Sequence, residues 1–361
     1  MDRAKYRQLV LDDQDDLAAC GPSLNDIHDA ALLDQVVATA YENLTKTSLY
    51  CWRRLHTDAS LLSALSSPPE DAIAKLDKAI IVSGAAGNGR LELILDLIEE
   101  LQAENYPSRT FTASAVAESA ALDVSGATIP CLAKPPSLAT FQTREYQAPF
   151  ILRSYASDWP ALNERPWASS DYLRAVSGPA RVVPVEVGRD YRTDDWSQKI
   201  MPWDTFLDSL DGTEPLYLAQ HSLLMQFPAL RGDIIVPDYV YAALPRQTMP
   251  PENDEQLVIN AWLGPKDTVS PAHTDPYYNI YIQVAGYKTV WVSPPSSDGM
   301  YATGNTSAVD VFSTDQTEWP NFLNVAAQTA CLGPGDVLYL PAGWWHAMRS
   351  ESRSFSVSMW F

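Results

Sequence analysis

The sequence predicts an α+β protein in which a helical bundle precedes an antiparallel β-sandwich of the jelly-roll kind. Up to about residue 106, apolar residues recur at the spacing of amphipathic helices. From about residue 136, short β-rich runs alternate with Pro, Gly and Asp, which is typical of sandwiches and jelly rolls. We therefore predict a helical domain at 1–106, a linker rich in Ala, Ser and Pro at 107–135, and a β domain at 136–361.

The N-terminal part contains four predicted helices. Their apolar positions fall on one face in each case, and Pro68-Pro69 marks the start of the third helix. The predicted helices cover approximately 30–44, 52–62, 70–82 and 90–105. None of them carries a combination of side chains that suggests catalysis, so we expect the chemistry to lie in the β domain.

The β domain has its strands most densely after Pro250. The runs LVINAWLG, VSPAHTD, YNIYIQVAG, KTVWVSPP, GDVLYLP and FSVSMWF are separated by turn residues such as Gly264-Pro265 and Gly333-Pro334-Gly335. Two short helices are expected earlier in this domain, at 169–176 and 202–210. The polar stretch 296–330 has little periodicity, and we expect a surface insertion or a lid there.

The chain is strongly acidic, with a formal charge of −20 from 45 acidic and 25 basic residues. Such a surface disfavours direct nucleic-acid binding, because that affinity depends on Lys and Arg at phosphates. It favours a basic protein or peptide as partner. No apolar run reaches membrane-spanning length, so we expect no membrane association.

The four cysteines have no CxxC spacing. From this we expect neither a disulfide framework nor a zinc cluster. The first residues lack the apolar core of a signal peptide, so we expect an intracellular protein of the nucleus or the cytoplasm.

A metal site is predicted in the stretch from Trp262 to Lys288. His273 and Asp275 are two residues apart in an extended segment, which places both side chains on one face. His346, after the strand GDVLYLP, supplies a second imidazole from elsewhere in the chain. Two histidines and one carboxylate form the facial triad that binds Fe(II) and leaves positions open for oxygen chemistry. The alternative is a hydrogen-bonded structural pair without a metal.

Lys288 points to an anionic cosubstrate. It lies in the apolar run AGYKTVWV, and a buried lysine requires an anionic partner. The distal carboxylate of 2-oxoglutarate, whose other end chelates iron, provides such a partner. The alternative is an edge-strand lysine that prevents aggregation. The other predicted cofactor-binding residues are Tyr217, Ser270, Asn279 and Trp360.

These residues also carry a family resemblance. The order Tyr217, Ser270, His273, Asp275, Asn279, Lys288, His346 and Trp360 resembles the jumonji-C (JmjC) oxygenases. The stretches VPVEVGRDYRTDDWSQKIM, INAWLGPKDTVSPAHTDPYYNIYIQV and SFSVSMWF are similar to the small branch typified by jumonji-domain protein five, also called lysine demethylase eight. The resemblance implies a double-stranded β-helix (cupin) catalytic domain that uses Fe(II), 2-oxoglutarate and O2.

The resemblance also implies a choice of substrates. Members of this branch are described as protein arginyl C3-hydroxylases, and histone methyl-lysine demethylation is also attributed to them. The segment that lines the family's substrate groove corresponds to Glu186, Tyr191 and Trp196, with Gln220 and Trp262 as further candidates. A carboxylate is the natural bidentate partner of a guanidinium, so Glu186 favours arginine hydroxylation. The alternatives are methyl-lysine demethylation at the same iron site, a non-catalytic cupin-like binding module, and a protease, for which the sequence offers no nucleophile–base motif.

Overall fold

A computed structural model describes residues 2–12, 17, 19–21, 23–112, 122, 126, 128–144, 146–244, 251, 253 and 256–361. The chain separates into two compact units. Unit 1 comprises 1–110, 174–184 and 200–205, and unit 2 comprises 111–173, 185–199 and 206–361. The α-helices are α1 Arg3–Leu11, α2 Ala30–Leu44, α3 Tyr50–Ala64, α4 Pro69–Ser83, α5 Arg90–Asn105, α6 Leu138–Arg144, α7 Ser170–Ser177, α8 Trp203–Ser209 and α9 Leu223–Gln226.

Unit 1 is built around the helices α1 to α5. Local sequence sets their ends. The Asp29 carboxylate caps α2, while α4 begins at Pro69 and is capped after Ser83 by Gly84, which adopts a left-handed conformation. The apolar faces of α3 to α5 supply a core that includes Leu55 and Ile98. No helix in the described part of the chain is long and apolar enough to cross a membrane.

Buried ion pairs stabilise unit 1 in addition to its apolar contacts. The Arg181 guanidinium donates to both oxygens of Asp77, with Nη2 2.7 Å from Oδ1 and Nε 3.0 Å from Oδ2. The Asp77 carboxylate also accepts from the Val182 backbone N–H at 2.9 Å. Both charged side chains are almost completely buried, so loss of either partner would leave an uncompensated charge.

Two antiparallel sheets make up most of unit 2, and residues 182–184 and 200–202 of the larger sheet are assigned to unit 1. One has the strand order β1-β12-β7-β14-β5-β4-β2-β3 and the other β11-β8-β13-β6-β10-β9. The strands are β1 Phe150–Leu152, β2 Val182–Val187, β3 Ser197–Pro202, β4 Leu216–His221, β5 Val258–Gly264, β6 Val269–Thr274, β7 Asn279–Ala285, β8 Lys288–Ser293, β9 Ala302–Thr303, β10 Thr306–Ser307, β11 Gln328–Leu332, β12 Val337–Leu340, β13 Trp345–Ser350 and β14 Ser354–Trp360.

The two sheets enclose an apolar core. Residues from both sheets meet in one cluster, including Val290 and Met348 from one sheet and Tyr281 and Leu338 from the other. β7 is buried along its whole length, which agrees with its near-continuous apolar sequence. Side chains that face inward from this region form the walls of the site described below.

The predicted fold class is confirmed, since a helical N-terminal region is followed by an antiparallel β-sandwich of the cupin type. The expectation for the cysteines was wrong in one respect, because Cys20 and Cys51 form a disulfide. Thirty-one residues separate them in the sequence, so their proximity depends on how α3 packs. Within the predicted linker, residues 113–121, 123–125 and 127 lie outside the described residues.

The stretch 296–330 is more structured than its sequence suggests. It contributes β9 and β10, and β10 extends the smaller sheet by pairing Thr306 with His273 of β6. Its apolar side chains Val311, Phe312 and Phe322 pack on a second core cluster that contains Ala272. The stretch therefore forms part of the sheet next to the candidate metal ligands.

Candidate metal centre

Two neighbouring strands and the turn after one of them bring three ligand side chains together. His273 lies near the end of β6, Asp275 follows that strand, and His346 is the second residue of β13. β6 and β13 pair antiparallel with His273 directly opposite His346. Cross-strand partners point to the same face of a sheet, so the pairing places both imidazoles beside the Asp275 carboxylate.

The distances suit a shared metal ion. The Nε2 atoms of His273 and His346 lie 3.8 Å and 3.5 Å from the oxygens of Asp275. One ligand atom from each of the three residues lies within 4.8 Å of the other two. Metal–ligand bonds of about 2 Å in this geometry leave room for one ion at the centre.

Backbone carbonyls orient both imidazoles. Nδ1 of His273 lies 2.7 Å from the Pro271 carbonyl oxygen, and Nδ1 of His346 lies 3.0 Å from that of Trp344. When each Nδ1–H donates to its carbonyl, each Nε2 keeps a free lone pair for the metal. Burial and the neighbouring His346 lower the pKa of His273 to about 4, which keeps this ligand neutral at physiological pH.

The carboxylate of the set is ionised. Burial opposes its charge, but the electrostatic contact with the His346 and His273 imidazoles lowers the pKa of Asp275. The same contact raises the pKa of His346 in spite of its burial. One carboxylate oxygen and two imidazole nitrogens together form a donor set that suits divalent iron.

A single cavity contains the three ligands and most of the predicted cofactor-binding residues. Tyr217, Ser270, Asn279 and Trp360 line it, as does Trp262, which was predicted on the substrate side. Met348, Ser358 and Tyr281 complete its lining. Of these, Tyr281 and Met348 were missed at the sequence level. Tyr281 shares strand parity with Asn279, and that alternation was the available signal.

Lys288 lies behind the cavity wall. It is 1 % exposed, and its Nζ donates to the Tyr217 hydroxyl at 2.9 Å. No carboxylate lies within ion-pair distance of it among the described residues, and burial lowers its pKa from 10.5 to about 7. A buried ammonium without a carboxylate partner, next to the cavity-lining Tyr217, fits the distal carboxylate of a dicarboxylate, since that anion would supply the missing partner.

Several polar atoms of the cavity have no partner in the chain. The Oδ1 atom of Asn279, the hydroxyl of Tyr281 and the Nε1 atom of Trp360 are buried without a hydrogen bond. Buried polar groups in proteins are nearly always hydrogen-bonded. Unsatisfied donors and acceptors concentrated in one cavity indicate a polar ligand, so the residues present fit a metal ion and 2-oxoglutarate.

The predicted substrate-side residues are distributed around this cavity. Glu186 of β2 pairs with Tyr217 of β4, and burial raises its pKa in spite of the nearby Trp196 indole. The Tyr191 side chain interacts with Thr306, which is the strand partner of His273. Gln220 is exposed and does not line the cavity.

Arg192 links two segments beside the site. Its guanidinium donates to the Val309 carbonyl oxygen at 2.7 Å and to both oxygens of Asp190, at 3.0 and 2.9 Å. The first bond reaches the stretch that contains β10, and the others hold the loop that carries Tyr191. This clamp therefore positions the Tyr191 loop against the strand adjacent to His273.

Comparisons with known proteins agree with this architecture. Residues 139–361 match the family of cupin-like domains. Jumonji C domain-containing protein 5 of Drosophila melanogaster is 40 % identical over 241 residues, which are 63 % of this chain and 58 % of that protein. Lysine-specific demethylase 8 of Danio rerio is 33 % identical over 342 residues, which are 86 % of this chain and 81 % of that protein.

A more distant relative is the human bifunctional peptidase and (3S)-lysyl hydroxylase JMJD7, which is 24 % identical over 64 % of this chain and 84 % of that protein. Fold and ligand set together define a cupin-like protein with a candidate facial-triad metal site. The chain belongs to the JmjC family, in the group of jumonji C domain-containing protein 5 and lysine-specific demethylase 8. Enzymes of the JmjC family use Fe(II) and 2-oxoglutarate. The chain spans just under three fifths of the Drosophila relative.

Proposed function

We propose that this protein is an Fe(II)- and 2-oxoglutarate-dependent oxygenase that hydroxylates C3 of an arginine side chain in a basic protein substrate. The observation that carries the proposal is one cavity lined by His273, Asp275, His346 and Tyr217, whose hydroxyl accepts a hydrogen bond from the buried Lys288. A metal-binding end and a buried ammonium behind the Tyr217 wall match the two ends of 2-oxoglutarate.

In this proposal His273, Asp275 and His346 hold the iron. Bound iron supplies oxidising chemistry: O2 and 2-oxoglutarate are consumed, succinate and CO2 are released, and one oxygen atom enters the C–H bond of the substrate. Lys288 and Tyr217 hold the distal carboxylate, Ser270 and Asn279 line its path, and Trp360 forms a wall. The contribution of the chain is to orient the reactants and to exclude water.

Glu186 supports arginine as the target. It is half-buried, its pKa is raised by that burial, and it pairs in the strand ladder with Tyr217. A guanidinium would compensate the buried carboxylate with two parallel hydrogen bonds. Tyr191, Trp196 and Trp262 provide aromatic surfaces for the aliphatic stem and the guanidinium plane, and the exposed Gln220 lies at the periphery. The chain's net charge of −20 favours a basic partner.

The test is aerobic incubation with Fe(II), 2-oxoglutarate and a library of Arg-rich peptides, followed by tandem mass spectrometry. We expect one added oxygen on arginine, at C3, and no product from the variant Asp275→Ala. Glu186→Gln should weaken the apparent affinity for the peptide about tenfold or more, which corresponds to the loss of a hydrogen bond between charged groups. The exposed Glu214→Gln is the matched control.

A second candidate function is methyl-lysine demethylation, because the relative from Danio rerio is named a lysine-specific demethylase. It uses the same iron site on an N-methyl carbon, and the hydroxylated methyl group leaves as formaldehyde. Formaldehyde release from a methyl-lysine peptide, together with unmodified arginine peptides, would replace the first proposal with the second. Turnover of neither peptide class, with no consumption of 2-oxoglutarate, would favour the non-catalytic binding module.

A further inference from the structure

Tyr281 occupies the middle of the cavity wall. It lies on β7, two residues after Asn279, and its cross-strand partner on β14 is Ser358. It is 3 % exposed, and its side chain lines the same cavity as His346 and Tyr217. The residue thus shares the cavity with the candidate metal ligands, and its ring centroid lies 5.8 Å from the Lys288 Nζ.

The hydroxyl group of Tyr281 makes no hydrogen bond of normal geometry in the described chain. The nearby Ser356 hydroxyl lowers the pKa of Tyr281 against the larger effect of burial, but Ser356 donates its own proton to the Gln283 side chain at 2.8 Å. The buried tyrosine Tyr339 shows the usual arrangement, because its hydroxyl donates to the Tyr146 carbonyl oxygen at 3.1 Å. A tyrosine that needed only apolar contacts at this position would be replaceable by Phe without leaving a polar atom unsatisfied. The orphan hydroxyl therefore points to a ligand.

The surroundings of this hydroxyl define the chemistry of that ligand. The Lys288 Nζ lies 5.8 Å from the Tyr281 ring centroid and 2.9 Å from the Tyr217 hydroxyl. The two tyrosines also interact electrostatically, since Tyr281 contributes to the raised pKa of Tyr217 after the larger effect of burial. Burial raises the pKa of Tyr281 itself, so its hydroxyl stays protonated and is a donor. An ammonium and two phenol donors are converging groups that suit a carboxylate.

We propose that the Tyr281 hydroxyl donates a hydrogen bond to the distal carboxylate of 2-oxoglutarate, as a third donor beside Lys288 and Tyr217. A carboxylate offers about four acceptor positions, so three donors do not exceed its capacity. This inference rests on the proposed function, because it requires 2-oxoglutarate in the cavity. It assigns to Tyr281 a cosubstrate-binding role through its hydroxyl group alone.

The test compares two keto acids that differ only at the distal end. Protein loaded with Mn(II) is titrated calorimetrically with 2-oxoglutarate and with 2-oxopentanoate, which has a methyl group in place of the distal carboxylate. For Tyr281→Phe we expect binding of 2-oxoglutarate to weaken by about tenfold or more and binding of 2-oxopentanoate to stay unchanged. Tyr339→Phe, which removes a buried hydroxyl outside the cavity, should leave both affinities unchanged.

The variant should fold, because Phe removes an unpaired polar atom and keeps the ring; Tyr281→Met is a second variant without the hydroxyl. Unchanged 2-oxoglutarate binding in both variants would overturn the inference while leaving the proposed function intact. An equal loss of both keto acids would also overturn it, since that result would indicate a packing role. Failure of the wild-type protein to bind either keto acid would overturn the proposed function and the inference with it.

Discussion

Binding of 2-oxoglutarate is expected to take up a proton at Lys288. In the free protein burial lowers the pKa of this lysine from 10.5 to about 7, and the Tyr217 hydroxyl is the group that accepts its hydrogen bond. A bound carboxylate favours the charged ammonium and returns the pKa towards its ordinary value. The bound state then holds more protons than the free state, so binding weakens as the pH rises above 7.

The size of this effect follows from the fraction of Lys288 that is charged before binding. With a pKa of about 7, roughly nine tenths of the free protein carries the ammonium at pH 6 and roughly one tenth at pH 8. The dissociation constant for 2-oxoglutarate should therefore rise about tenfold between pH 6 and pH 8, which corresponds to about 1.4 kcal/mol. At pH 8 each bound 2-oxoglutarate should take up about 0.9 proton.

The assay is titration calorimetry of Mn(II)-loaded protein in buffers of different ionisation enthalpy, which counts the protons directly. Bound Mn(II) prevents the histidine ligands from taking up protons in this pH range. The proton uptake on binding is therefore expected at Lys288. Titration with 2-oxopentanoate is the control, because a keto acid without the distal carboxylate has nothing to pair with the ammonium. An affinity for 2-oxoglutarate that stays constant from pH 6 to pH 8, with no buffer-dependent heat, would refute the reasoning.

Three further predictions concern the metal centre, the substrate loop and stability. Asp275→Ala should lower the affinity for Fe(II) or Mn(II) more than about 100-fold, because one of three ligands is lost. The surface variant His28→Ala is the control and should retain the metal, and metal analysis after dialysis measures both variants. Arg192→Ala should release the loop that carries Tyr191 from the Val309 carbonyl oxygen. Steady-state kinetics should then show a KM for the peptide that is raised several-fold, and calorimetry should show unchanged 2-oxoglutarate binding. Asp77→Ala should lower the free energy of unfolding by about 3–5 kcal/mol, because it removes the anionic partner of the buried Arg181 guanidinium, while the exposed Asp71→Ala should change it by less than about 0.5 kcal/mol in urea titrations.

Much of the candidate site could be predicted from local sequence. His273 and Asp275 are two residues apart on an extended segment, and strand geometry alone puts such residues on one face. The position of Lys288 within an apolar run likewise indicated a buried cation. These inferences succeeded because they depend on periodicity and on the chemical cost of burial, both of which are visible along the chain.

Other features had no local signal. The strands β9 and β10 have two residues each, too short for any alternation, yet β10 pairs with His273. The partners Cys20 and Cys51 meet through helix packing, and no motif marks them. Periodicity reports which face of an element is buried, but it does not report which other element covers that face.

The sequence by itself determined the fold class, the three metal-ligand candidates and the burial of Lys288. Only the tertiary structure decided that His273 and His346 are cross-strand partners, that Lys288 bonds to Tyr217 and that the Tyr281 hydroxyl is left without a partner. The physical reason is that hydrogen-bond satisfaction and desolvation depend on every group around an atom. Those groups come from strands that are distant in the chain, so they are defined only when the two sheets close around the cavity.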